Sequence, residues 1–472
     1  MTATTVTSVY PAGLYRTAAR RTVFTRRRRF DPTWAICTYI VVLLVVPTPE
    51  VIGPLGAAGG PANMLALGCL AWWACGRFLP GGMSWGFNPV RWAVIGFTAA
   101  MFAGYASGAI HPLDGVEIAG ADRTLMVIMG YAGVALLAAD GIGTLEQLNR
   151  TVRRLVNLSA AFAVAGIVQF YTGFDVARYL KIPGLTVIVP VTDHGEQVRS
   201  GLRRVVATSS HPIEYGVVLA MVLPIALHLA LTAADGEKRN RWIACGIIAF
   251  ACPLAVARSS ILGLMVGMTM LWCGWAWTRK KAALKLALVY LVIVRLTVHG
   301  LLGAVKSMFF NIQDDPSYQG RTADYPKVAK LVAEAPWLGH GLGTFDPRVY
   351  FILDNQYLGT LIETGYIGLL STIALFLIAL FTGRSVYRMC RLAGLTKLGD
   401  LGRAFAASML VVTVTFVTFD ALAYRMIGGM LFVVIGLIGA AWRIARIEST
   451  RLTWHPREEG DTAMRITRLT PS

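Results

Sequence analysis

Several short segments of this chain carry residue types that can hold an anion or move a proton. In the first, Arg203 and Arg204 run ahead of Thr208, Ser209 and His211-Pro212. A guanidinium stays charged and binds phosphate through paired hydrogen bonds, and the Thr208 and Ser209 hydroxyls can support it. Pro212 suits the first turn of a helix, which leaves His211 near the N-cap. In the second, Ala257-Arg258-Ser259-Ser260 sits between two apolar runs. Such a charge either binds a ligand or snorkels to lipid phosphates, and the flanking serines favour the ligand. The third opens at Gly320-Arg321-Thr322. From Asp324, read as an N-cap, it continues as a short amphipathic helix with Val328, Leu331 and Val332 on one face, stopped at Ala335-Pro336. Gly339-His340-Gly341-Leu342-Gly343-Thr344-Phe345 follows, and alternate glycines let backbone N–H groups approach an anion. No Gly-Lys-Ser/Thr follows, so this is not a nucleotide P-loop. The last runs from Asp354-Asn355 through Glu363 to Gly365 and Gly368. Asp354 is placed to cap the next helix, which would hold its carboxyl low and weaken it as a base. Glu363 falls inside the apolar stretch and needs a partner, for which an outer arginine is available.

The elements that position these residues are helices in a bilayer. Of the 472 residues, 55% are hydrophobic and 15% charged, with a mean hydropathy of +0.58, well short of the roughly 25% charge of a soluble domain. About twelve runs have the length of a transmembrane helix: near 33–49, 57–79, 90–110, 124–140, 155–172, 212–232, 242–257, 259–278, 283–303, 356–382, 404–421 and 426–443. A basic, polar tail over 1–30 precedes them, with no cleavable signal peptide, and a polar tail over 444–472 follows. Placing both tails in the cytoplasm puts 30 of the 44 Lys and Arg inside, as the positive-inside rule requires. The net charge of +18 is therefore mostly topological, and no nucleic-acid partner is implied. Several of the remaining 14 gather in two long outer loops, about 173–211 and 304–355, where an anionic ligand is the simplest reason for them. The seven cysteines form no CxxC pair and read as small buried hydrophobes, with Cys390 in a polar stretch.

Taken in order, these segments resemble the O-antigen ligase and O-antigen polymerase superfamily, multi-spanning membrane glycosyltransferases. Arg204 ahead of Thr208 and His211-Pro212 matches that family's arginine and Gly-Thr-x-x-His-Pro-like segment. Ala257-Arg258-Ser259 matches its Ser-Arg-Gly/Ser turn, and Gly320-Arg321 the Gly-Arg that opens its large outer loop. Pro336 to Phe345 matches its glycine-rich stretch, and Asn355 to Gly368 its last spacing. The resemblance covers about residues 150–440. One position departs from the pattern: Asp354 stands where the family has a histidine thought to activate the acceptor hydroxyl.

The resemblance implies an all-α, GT-C-like polytopic fold, with residues 31–443 as the transmembrane domain, in the bacterial cytoplasmic membrane. It implies an inverting transfer of a glycan from a polyprenyl-pyrophosphate carrier to an acceptor hydroxyl on the outer face. The acceptor would be a glycan, glycolipid, wall polymer or protein, with no cofactor and no metal. Asp314-Asp315 and Asp193 do not form a DxD pair. Arg204, Arg258, Arg321 and Arg203 would hold the pyrophosphate. Asp354 or His340 would take the proton, with His211, Asn355 and Glu363 in support. Two other readings remain open on the residues alone. One is a transporter or flippase of an anionic or lipid-linked saccharide, kept open by Arg295 and Glu363. The other is a non-catalytic scaffold.

Overall fold

The structure, a computed structural model, describes residues 31–454 apart from 79–82, 84, 85, 111, 188–197, 200, 311–315 and 348. The basic tail, Asp193 and Asp314-Asp315 lie outside the described residues. The described chain is helical: α1 (Pro32–Val45), α2 (Pro61–Phe78), α3 (Pro89–Gly108), α4 (Gly115–Gly141), α5 (Leu145–Thr172), α6 (Val176–Tyr179), α7 (Pro212–Thr232), α8 (Asp235–Ala251), α9 (Arg258–Cys273), α10 (Trp277–Thr297), α11 (Leu301–Phe310), α12 (Pro316–Glu334), α13 (Gln356–Leu392), α14 (Thr396–Thr415) and α15 (Arg425–Trp454). Two small antiparallel pairs accompany them. β1 (Glu50–Val51) pairs with β2 (Thr186–Val187), and β3 (Val198–Arg199) pairs with β4 (Leu202–Arg203).

Local chemistry sets several helix starts. Asn88 caps α3, its side chain accepting from Val90 N at 3.1 Å ahead of Pro89. Thr144 and Gln147 form a reciprocal capping box on α5. The core is made by α7, α14 and α15 with the second half of α4, whose residues from Gly130 to Gly141 are all buried; the Tyr131 hydroxyl donates to Arg425 O at 3.2 Å. By contrast α10 buries Val294 and shows Leu284, Leu286, Leu288, Leu291 and Leu296 on its exterior. An apolar exterior of this kind is what a lipid-facing helix presents.

Each of the twelve apolar runs falls on a helix, but six of those helices are long and apolar enough to cross a membrane: α4, α5, α7, α13, α14 and α15. α1 and α9, with 14 and 16 residues, are apolar but short. The chain is an all-α membrane protein. The two segments expected as outer loops are more structured than open loops: 173–211 holds α6 and three strands, and 304–355 holds most of α11 and all of α12. α12 begins at Pro316, ahead of the expected start at Asp324, and runs on through Pro326. Asp324 instead pairs with Lys327 at 2.9 Å. The C-terminal segment from 444 begins as helix, since α15 runs on to Trp454. Cys37, Cys69, Cys245, Cys252 and Cys390 are buried, whereas Cys75 and Cys273 are exposed on helix surfaces.

Arg91 is buried at the start of α3 and pairs with Asp140 of α4 at 3.1 Å. Trp73 Nε1 also donates to Asp140 at 3.0 Å, and the Arg91 guanidinium donates to Gly86 O. Removing one partner strands a buried charge, which costs about 3–5 kcal/mol. Arg91→Ala is expected to lower the melting temperature in detergent markedly, and an unchanged melting curve would contradict this.

Candidate functional site

The site is built where one end of the bundle gathers the starts of α7, α9, α13 and α15 and the ends of α8 and α14. The segment before α7 is fixed first. Buried Gln169 of α5 accepts from Val206 N at 2.9 Å and Ala207 N at 2.8 Å. Thr208 Oγ1 donates to Leu44 O at 2.6 Å, and Ser209 Oγ donates to Val206 O at 2.6 Å. These hydroxyls are therefore committed to the backbone of the turn, contrary to the expectation that they support a phosphate. His211 is the N-cap of α7, its Nδ1 accepting from Ile213 N at 3.2 Å. Its ring lies 5.6 Å from that of Tyr424.

Arg203 and Arg204 part company. Arg203 is exposed on β4 and lies over Gly173 at the end of α5. Arg204 turns to the α8–α9 junction, where its Nε donates to Ala255 O at 3.3 Å. Three residues on, Arg258 opens α9, partly buried, with Ser259 and Ser260 buried behind it. Two non-glycine residues adopt a left-handed backbone among those described, Ala207 at φ 51 and Val256 at φ 46. A β-branched residue there is a genuine outlier, and both sit in the turns that present the two arginines. Strain of this kind persists only where the surroundings impose it.

The start of α13 is tied to the α14–α15 connection. Gln356 N donates to Phe416 O at 3.0 Å, and Leu422 N donates to Gln356 Oε1 at 2.6 Å. Thr418 Oγ1 donates to Ser259 Oγ at 2.9 Å, joining the same connection to the Arg258 turn. Glu214 closes the circle from α7, accepting from Ser210 N and Met426 N, both at 2.7 Å. The N-cap of α13 is Asn355, which accepts from Tyr357 N at 3.0 Å and Leu358 N at 3.3 Å. This corrects the expectation that Asp354 caps the helix. One residue earlier, the carboxylate is released from that duty.

The connection also brings in a carboxylate that the motif reading missed. Asp420 is partly buried next to Asp354, and burial followed by that like charge pushes its carboxyl up to about 6, against a bond from Ala423 N. Tyr424 stands among Glu214, Asp420, Asp354 and Arg204, and burial with the carboxylates beside it raises its phenol well above the ordinary value. The signal for Asp420 was available, since an acidic residue within the apolar run 404–421 is itself a functional flag.

The glycine-rich segment has a different job from binding a free anion. α13 is broken at Gly365, at φ 61 and ψ −164. The segment 336–341 pairs with both sides of the break: His340 N donates to Ile362 O at 3.0 Å and Gly341 N to Glu363 O at 2.9 Å. Tyr366 N donates to Pro336 O at 2.8 Å and Ile367 N to Trp337 O at 3.2 Å. Backbone groups freed by a broken helix must be satisfied by protein in this way. The group that this segment's amides hold is the Glu363 carboxyl, which accepts from Gly343 N and Phe345 N. Glu363's partner is thus backbone in place of the expected arginine. His340 is bound through Nε2 to Leu331 O at 2.8 Å, which ties α12 to the same segment. Gly339 has φ +70, and a Cβ there would meet Glu363 C at 2.3 Å. Gly339→Ala is expected to unseat the segment and lower stability by about 1–3 kcal/mol or more, read as a fall in melting temperature. Retained wild-type stability would oppose it.

Arg204, Arg258, Asp354, Asn355 and His211 are therefore drawn together with Asp420 and Tyr424. Arg321 lies on α12, and its side chain is outside the described set. His340 and Glu363 belong to the broken-helix plug. Among the described residues, no group of three or more His, Cys, Asp or Glu side chains is arranged to hold a metal ion. No curated protein matches the chain. Residues 243–373, which include Arg258, Arg321, Asp354 and Glu363 but neither Arg204 nor Asp420, match the family model described as O-antigen ligase. That segment is similar to the O-antigen ligase family, which supports the resemblance to the O-antigen ligase and polymerase superfamily.

Proposed function

We propose that the protein transfers a glycan from a polyprenyl-pyrophosphate carrier to an acceptor hydroxyl, at the outer face of the cytoplasmic membrane, as a ligase or a polymerase. The observation that carries this reading is the meeting of two arginine turns with a carboxylate pair at one end of the bundle. Arg204 bonds to Ala255 O, and the Ser259 hydroxyl beside Arg258 bonds to the connection that holds Asp420. On the expected twelve-span topology, with both termini in the cytoplasm, that end faces outside; the excess of basic residues at the opposite ends supports it.

In this mechanism Arg258 and Arg204 bind the pyrophosphate, with Arg321 arriving from α12. The acceptor oxygen attacks the anomeric carbon from the face opposite the leaving group. The bond from that carbon to the phosphate oxygen breaks, and its electron pair goes to the pyrophosphate, whose added charge the guanidiniums neutralise. The acceptor proton goes to Asp354, which fills the place of a histidine base because it has a second carboxyl at its side and no helix to cap. No step calls for a metal or cofactor.

Reconstitution into proteoliposomes with a polyprenyl-pyrophosphate glycan and a glycolipid or glycan acceptor tests this reading. A covalent glycan–acceptor product with release of the pyrophosphate carrier is expected. Movement of the donor across the bilayer without a product would replace the reading with a flippase.

A further inference from the structure

A second polar cavity lies at the other end of α7. His228 stands about 25 Å along that helix from His211, at 1.5 Å per residue, so a membrane-crossing α7 puts the two at opposite faces of the bilayer. The cavity is small and partly open, about 40 Å³, and its walls include His228 and Thr232 of α7, Trp275 and Arg279 around the start of α10, and Asp400 and Arg403 of α14. None of these residues belongs to the site described above.

The polar groups around this cavity are incompletely satisfied. Arg403 is held by its two terminal nitrogens, one donating to Gly274 O at 2.6 Å and the other to Asp400 at 3.0 Å. Its guanidinium carbon lies 5.1 Å from the Tyr387 ring centroid. Its Nε is buried and has no hydrogen-bond partner among the described residues. His228 is 9% exposed, and its buried Nδ1 is likewise without a partner among the described residues. Arg403 is near enough for its charge to act on His228. A stranded buried donor costs about 1–3 kcal/mol, so the Arg403 Nε–H, with His228 in the tautomer that carries its proton on Nδ1 and the exposed cation of Arg279 beside them, asks for an acceptor that carries negative charge. A phosphate supplies oxygens in several directions and suits donors that come from different helices.

The surroundings identify the source of that phosphate as lipid. Trp272 and Trp277 are exposed at the same turn, and Lys280 and Lys281 lie 4.8 Å and 5.7 Å from their rings. Tryptophan and lysine together are the side chains of a membrane interface, and α10 leaves this turn with an apolar exterior. We propose that the cavity binds a phosphate anion presented by the headgroup of an anionic membrane lipid, at the face opposite the candidate catalytic end.

The full chain, delipidated and titrated with phosphatidylglycerol or phosphatidylcholine, can be followed by native mass spectrometry. One tightly held phosphatidylglycerol is expected in preference to phosphatidylcholine. Because Arg279 is exposed, Arg279→Gln leaves the fold intact, and it should weaken that binding about tenfold. Adding Arg403→Gln should weaken it further. Lys285→Gln, an exposed neighbour on α10 that does not line the cavity, should leave it unchanged. Equal weakening by Lys285→Gln, no effect of Arg279→Gln, or no preference between the two lipids overturns the proposal. Displacement of the lipid by millimolar inorganic phosphate, lost in Arg279→Gln, would assign the cavity to free phosphate and overturn the lipid source. The readout is binding, so it stands or falls separately from the glycosyl transfer reaction.

Discussion

Arg258→Lys is expected to lower the turnover of reconstituted glycan transfer by about 10²-fold or more, the scale of losing one preorganised donor at a developing oxyanion. The charge survives this substitution, but the planar fork does not. A guanidinium offers two parallel N–H groups to a phosphate, while an ammonium offers a single mobile point of charge. The structure gives the fork a fixed base: Arg258 opens α9 two residues after Val256, whose backbone is held at φ 46, and Ser259 is bonded to Thr418. Lysine fits the same helical turn, so folding and membrane insertion should be unaffected. The measurement is the rate of product formation at saturating donor, alongside a melting curve. Wild-type turnover in the lysine variant would remove Arg258 from the pyrophosphate site.

Asp354→Asn should cost about 10²–10⁴-fold in the same assay, the range for a general base, and its neighbour predicts a pH dependence. Burial and the Asp354 charge push Asp420 up to about 6. Asp420 takes up a proton as the pH falls through that region, which withdraws the negative charge beside Asp354, so transfer should decline on the acid side near pH 6 and recover above it. Asp420→Asn removes the like charge but keeps a group able to accept from Ala423 N. The acid limb should then move to lower pH with activity partly retained. A limb that stays in place would show that the two carboxyls are not coupled. Stability runs the other way. A carboxyl whose folded pKa is raised contributes most below its unfolded value, and that contribution is lost as the pH rises through about 6. Asp420→Asn should therefore be neutral or stabilising at pH 8, which separates a catalytic loss from a folding defect.

The segments that carry the site were readable as segments because their signals are local. Arg258 between two apolar runs, His211-Pro212 ahead of a third and the alternate glycines after Pro336 all announce a turn or helix start within a few residues. The errors arose where a partner lies far away in sequence. Asp354 and Asn355 are both good caps on paper, and the choice fell to Asn355 once Gln356 was tied to Phe416 and Leu422. Thr208 and Ser209 have free hydroxyls in any sequence reading, but the packing of α1 and the turn itself use them. Glu363 called for a cation and found amides, because nothing local to α13 reveals that the chain breaks at Gly365 and that 336–345 folds into the gap.

By itself the sequence determined that this chain lives in a membrane and where its helices lie, and it set the expectation for which side its charges favour. These follow from apolar length and from the cost of moving positive charge outward, and both are properties of a segment alone. Tertiary structure decided which charged residues meet. It separated Arg204 from Arg203, replaced one candidate cap by its neighbour, filled the glycine cradle with Glu363 and brought Asp420 to Asp354. Those outcomes depend on helix ends that are far apart in the chain and share one end of the bundle. In that confined space, each buried polar group must take whatever partner the packing brings within reach.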